Sequence, residues 1–150
     1  MLRKTVAALA VALAAFTASA ADKNATPADA EDLVKTAVSY MKKNGREKAL
    51  KEYQNKAGAF IYRDLYIFVY DLAGTCVGHG ADPSRIGKNY AEAKDPDGKP
   101  FMKERLELMK GKASAWQDYK FKNPESGQIE QKTAYMERVG DLIVGAGAYK

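Results

Sequence analysis

The chain has 150 residues, 46% of them hydrophobic and 29% charged, with 24 Lys and Arg against 19 Asp and Glu. That is enough for a core without disulfide staples, while the interleaving of basic and acidic residues excludes a nucleic-acid surface. The single cysteine, Cys76, excludes an intramolecular disulfide.

The first residues, Met1-Leu2-Arg3-Lys4, are followed by an apolar stretch from Thr5 to Thr17 and by Ala18-Ser19-Ala20. A basic start, a short hydrophobic run and small residues before a cut predict a secretory signal peptide over residues 1–20. Export into a bacterial periplasm follows, with the mature domain over 21–150. Losing Arg3 and Lys4 lowers the formal net charge of +5 by two, so the mature protein is only mildly basic.

Thr26-Pro27-Ala28-Asp29 has a helix start's chemistry: a capping hydroxyl, proline in the first turn and an acid three residues after the cap. Ala30, Leu33, Val34, Ala37, Val38 and Met41 then recur at helical spacing, and Asn44-Gly45 supplies a stop near Lys43. A second, short helix is expected from Arg46 to about Asn55, with Leu50 and Tyr53 on one side.

The run Arg63-Asp64-Leu65-Tyr66-Ile67-Phe68-Val69-Tyr70-Asp71 predicts a strand buried on both faces, because six consecutive apolar or aromatic residues leave no side for water. Alternation sends Leu65, Ile67 and Val69 one way, toward the first helix, and Tyr66, Phe68 and Tyr70 the other. The second face suits the wall of a small-molecule pocket, apolar yet able to hydrogen-bond; on residue type alone the rings read more readily as core, their hydroxyls reaching the rim.

Asp71-Leu72-Ala73-Gly74 should turn the chain into a second strand, Thr75 to His79. From there to Pro100 turn residues dominate, predicting a long loop with one helical turn. Pro100 should open a third helix, with Phe101, Met102, Leu106 and Met109 apolar and Gly111 at its end. The last third reads as antiparallel strands, Ala115 to Phe121, Gln131 to Val139 and Leu142 to Tyr149, the last beside the opening strand in the sheet centre.

Together Arg63 to Asp71, Val77-Gly78-His79-Gly80, Gly87-Lys88-Asn89, Asp95-Pro96-Asp97-Gly98-Lys99, Trp116-Gln117-Asp118-Tyr119-Lys120 with Asn123-Pro124, and Gly145-Ala146-Gly147-Ala148-Tyr149-Lys150 resemble a single Cache domain. The resemblance implies an α+β, PAS-like fold: a long N-terminal helix on one face of a five- to six-stranded antiparallel sheet, and a ligand pocket under loops on the other. It also implies extracytoplasmic sensing of small molecules, often short organic acids, with signal transduction or chemotaxis as the output.

A buried carboxylate needs positive or donor groups, and Arg63, His79 and Lys132 are the candidates. Tyr66, Phe68, Trp116, Tyr119 and Tyr135 are placed around them as the wall. Parity sets Trp116 against Tyr119 and Lys132 against Tyr135, so regular strands would divide this group between the faces. Gly145 and Gly147 share a face and leave a bare strip for close approach.

The leading expectation is a soluble periplasmic binding protein for a small organic acid, not an enzyme, without cofactor or metal. Its expected partners are that acid, a membrane receptor or transporter, and a second copy of the chain; nucleic acid is excluded. The alternative is a small exported hydrolase using His79 and Cys76, which would need an irregular backbone to bring residues three apart onto one side.

Overall fold

The computed structural model describes residues 24–150; the expected signal peptide lies outside the described residues. Helix α1 spans Pro27–Asn44 and starts on a reciprocal cap, in which Thr26 accepts from the Asp29 backbone while the Asp29 carboxylate accepts from Thr26. Its buried stripe is Ala30, Val34, Ala37, Val38 and Met41. Helix α2, Arg46–Tyr53, follows directly and buries Ala49 and Tyr53.

The expected strand from Arg63 to Asp71 is divided. Arg63 has φ of +54°, and with Asp64 it makes the turn of a small ribbon, β1 (Ile61–Tyr62) against β2 (Leu65–Tyr66). The chain then enters the main sheet as β3 (Phe68–Asp71). The break leaves alternation intact: Leu65, Ile67 and Val69 pack with α1, while Tyr66, Phe68 and Tyr70 pack on the other side.

The main sheet is antiparallel, in the order β4-β3-β7-β6-β5, with β4 Cys76–His79, β5 Ser114–Lys122, β6 Ile129–Val139 and β7 Leu142–Tyr149. As expected, β7 lies centrally beside β3. Helix α3, Phe101–Lys110, buries Phe101, Met102, Arg105 and Met109 in the cluster on the face away from α1. The segment between β4 and α3 is loop with one 3-10 turn, Pro83–Arg85, pinned by Asn89, which donates to Ala73 O and Thr75 Oγ1.

The turn motif at Asp95 closes the outer edge of the sheet. Its carboxylate accepts from the backbone of Asp97, Lys99 and Lys120, and Lys99 Nζ donates to Asp118 O at 2.6 Å. Those two side chains occupy edge groups of β5 that would otherwise pair with another strand.

Candidate functional site: a cationic cavity under the sheet

Side chains from β2, β3, β4, α3, β5 and β6 converge on a cavity with about 10 Å³ unfilled, room for the centre of one water molecule. Its walls are Tyr66, Phe68, Tyr70, Phe101, Tyr119 and Phe121, with His79, Arg105 and Lys132 among them. Phe101 stacks on Tyr119 at 4.8 Å, and Tyr66 lies against the His79 ring at 4.8 Å. Beyond Tyr66 an outer cleft of about 280 Å³, bordered by Lys56, Arg63, Gly80 and Glu125, leads to the surface.

The glycines of β7 make this cavity possible. A Cβ on Gly145 would collide with the Phe68 ring, and one on Gly147 would stand 2.5 Å from Lys132 Cε. The bare strip admits neither helix nor guest; it admits the side chains of the pocket itself.

Arg105 and Lys132 are each only 1% exposed. Arg105 Nε donates to Gln117 Oε1 at 3.0 Å, Gln117 Nε2 donates to Phe101 O, and Arg105 Nη2 has no partner among the described residues. The guanidinium carbon lies 4.7 Å from the Phe68 ring centre and 5.0 Å from that of Tyr119. Lys132 Nζ is hydrogen-bonded to Tyr66 Oη at 2.9 Å and Tyr149 Oη at 3.4 Å. Among the described residues neither cation forms a salt bridge. An amide orients one and two hydroxyls hold the other, so neither side chain has a counter-charge among the described residues.

Burial, reinforced by the nearby Lys132 and Arg85, pushes His79 down to about 3. Its Nδ1 accepts from Asp82 N at 2.9 Å, which assigns the proton of the neutral ring to Nε2. Burial holds the Tyr66 and Tyr149 hydroxyls above their ordinary range and, with Arg105 close by, drives Lys132 well below its own.

Of the residues singled out from sequence, Tyr66, Phe68, His79, Tyr119 and Lys132 are brought together here. Trp116 and Tyr135 are not. They pair across β5 and β6 with rings 5.1 Å apart on the α1 side, where Trp116 is 43% exposed and Tyr135 donates to Glu137. Strand parity puts them there. Arg63 also stands outside the cavity, on the turn at the outer cleft, its guanidinium donating to Asn24 O at 3.1 Å and lying over Tyr62. Tyr70 was expected on the aromatic face but not named for the site, and Arg105, Gln117, Phe101 and Phe121 were not expected there. Arg105 was detectable as a cation four residues from both Phe101 and Met109, on the apolar stripe of α3.

The backbone irregularity that a Cys76/His79 pair requires does exist. Val69 pairs with Gly78 and Tyr70 with Cys76, so Val77 is an extra residue and both Cys76 and His79 turn toward the aromatic cluster. Yet the Cys76 thiol donates to Gly78 O rather than to the imidazole, and burial pushes it up, away from the thiolate.

Known proteins share this architecture and parts of this sequence. A Cache chemosensory domain solved as the structural basis for carboxylic acid recognition superposes with a TM-score of 0.69 at 23% identity, over 81% of this chain and 91% of that one. A methyl-accepting chemotaxis protein from Vibrio parahaemolyticus gives 0.70 at 22% identity, over 81% and 86%. The sensor histidine kinase MctS of Rhizobium johnstonii is 33% identical over 89 residues, 58% of this chain and 19% of the kinase, so the chain spans only part of that relative's length. The profile of the family Single Cache domain 2 matches residues 1–150, and the chain belongs to that family.

Proposed function

We propose that this protein binds a small organic acid through its carboxylate in the cavity between α3 and the sheet, and passes the bound state to a membrane receptor or transporter. One observation carries the reading: Arg105 and Lys132 are fully buried in a single cavity with no carboxylate paired to either among the described residues. A buried charge needs a counter-charge, and an arriving carboxylate supplies it, with Arg105 and Lys132 as charged donors, Tyr66 and the His79 Nε2–H as neutral ones, and the rings around the aliphatic tail. The small unfilled volume favours acids of the size of acetate or propionate, whose seating needs only modest parting of the walls. The carboxylic acid recognition described for the solved Cache domain supports this ligand class, and the apolar stretch after Arg3-Lys4 supports export to the periplasm.

The test is a thermal-shift panel pairing each short carboxylate with its primary amide, followed by calorimetry. A ligand that binds only the folded form raises the melting temperature in proportion to its affinity. At least one carboxylate should raise it while the matching amide does not. Equal shifts from acid and amide, or none from any acid, would refute the reading.

A further inference from the structure

The cavity carries more positive charge than an apolar space tolerates. Lys132 Nζ has ring faces around it, Tyr66 at 4.4 Å, Tyr149 at 4.8 Å, Phe121 at 5.2 Å and Phe68 at 5.5 Å. On α3, Arg105 lines the same space, and Arg85, on the 3-10 turn, lies 5.3 Å from the other neighbour Phe121. The acid nearest in effect, Asp64 on the turn before β2, reaches Lys132 only through space, and its Oδ1 already accepts from Ala25 N at 2.7 Å. His79 on β4 is neutral, and the hydroxyls of Tyr66 and Tyr149 keep their protons; Tyr119 on β5 contributes a ring stacked on Phe101. Ring faces offset part of the cost of an ammonium, but less than an unpaired ion buried beside a like charge incurs.

Guanidinium groups do not give up their proton in proteins, so the lysine is the group that can yield. Its contacts serve either form. A neutral amine accepts from a tyrosine hydroxyl, and an ammonium donates to both.

We propose that the site takes up its carboxylate together with a proton, Lys132 holding a neutral amine until the anion arrives and an ammonium once it is seated. The proton comes from solvent and bonds to the Nζ lone pair. The anion and proton enter as a net neutral pair, so the interior gains no charge. Affinity then falls about tenfold per pH unit across the interval between Lys132's titration without and with the anion, and is flat below it. This inference rests on the carboxylate reading above.

The experiment has two arms. In the first, protein labelled with ¹³C at lysine Cε is titrated by NMR without ligand, Lys132 being identified by the signal missing from Lys132→Met. That signal should titrate well below the remaining lysines and move alkaline when propionate is added. The second arm is calorimetry with propionate at about pH 8 in buffers of different ionisation enthalpy. Wild type should take up close to one proton per propionate bound, and Lys132→Arg, which keeps a permanent cation, none. Lys132 titrating with the surface lysines, or propionate binding without proton uptake, overturns the proposal alone. A protein that binds none of the acids overturns the carboxylate reading and the coupling with it.

Discussion

The two faces of one sheet are built from opposite materials. Against α1 lie Leu65, Ile67, Val69, Leu142, Val144, Ala146 and Ala148, mostly aliphatic, with Tyr53, Phe60 and Tyr135 in the same cluster. Against α3 lie mainly tyrosines, phenylalanines and methionines, with the Arg105 and Lys132 side chains buried among them and one Arg105 guanidinium nitrogen without a partner among the described residues. Burial on the first face is net stabilising at about 25 cal/mol per Å² of apolar surface. On the second, similar burial is set against uncompensated charge. The difference teaches that the α1 side holds the domain together, while the α3 side buries cationic side chains without a counter-charge among the described residues, the feature on which the proposed carboxylate binding rests.

The largest test of this division is acid. Because the folded protein holds His79 at about 3 against an ordinary 6.5, the unfolded chain binds more protons between those values. The stability associated with a neutral His79 is therefore complete above pH 6.5 and lost as pH falls toward 3, amounting to roughly 5 kcal/mol across the interval. Urea unfolding at stepped pH should show that slope, and His79→Asn, which retains an acceptor near Nδ1, should flatten it.

Ile67→Ala strikes the other face, where the side chain is fully buried. It should cost about 2–5 kcal/mol in urea unfolding while propionate affinity, measured where the variant is folded, stays the same. A large affinity change would mean that the two faces are not separable.

Gly147→Ala sharpens the contrast within one strand, since its Cβ would displace the Lys132 stem. Overpacking there should cost about 1–3 kcal/mol of stability and about tenfold in propionate affinity by calorimetry. Smallest is Arg63→Ala. A cation at the entrance of a buried strand, offering forked donors to a carboxylate, would be expected to cost roughly thirtyfold in binding on removal, about 2 kcal/mol. Its place on the exposed turn, bonded to Asn24, predicts instead less than about 1 kcal/mol of stability and unchanged affinity.

Much of the fold was readable from local chemistry. The Thr26-Pro27-Asp29 cap, the helical stripe to Met41 and the alternation from Leu65 to Tyr70 each commit one element, and each stands where expected. The turn at Arg63-Asp64 was not readable, because neither residue is a glycine and nothing nearby marks a positive φ. In the site, residue type found the aromatic wall and Lys132, while strand parity was needed to send Trp116 and Tyr135 to the α1 side. Arg105 and Gln117 escaped because charged and amide side chains read by default as solvated surface, even when their positions match the apolar stripe of α3 and the inward face of β5.

The most direct measurement is made on Arg105→Met, a volume-conserving change that removes the charge without opening a void. Urea unfolding and propionate calorimetry would be run beside wild type. The expected result is stability within about 2 kcal/mol of wild type, because losing an unpaired buried cation offsets the Gln117 amide oxygen left without its donor, together with at least about a hundredfold loss of propionate affinity. A variant destabilised by roughly 3 kcal/mol or more that still binds propionate like wild type would contradict the division, showing Arg105 to be a brace of the core and not the anchor for an anion.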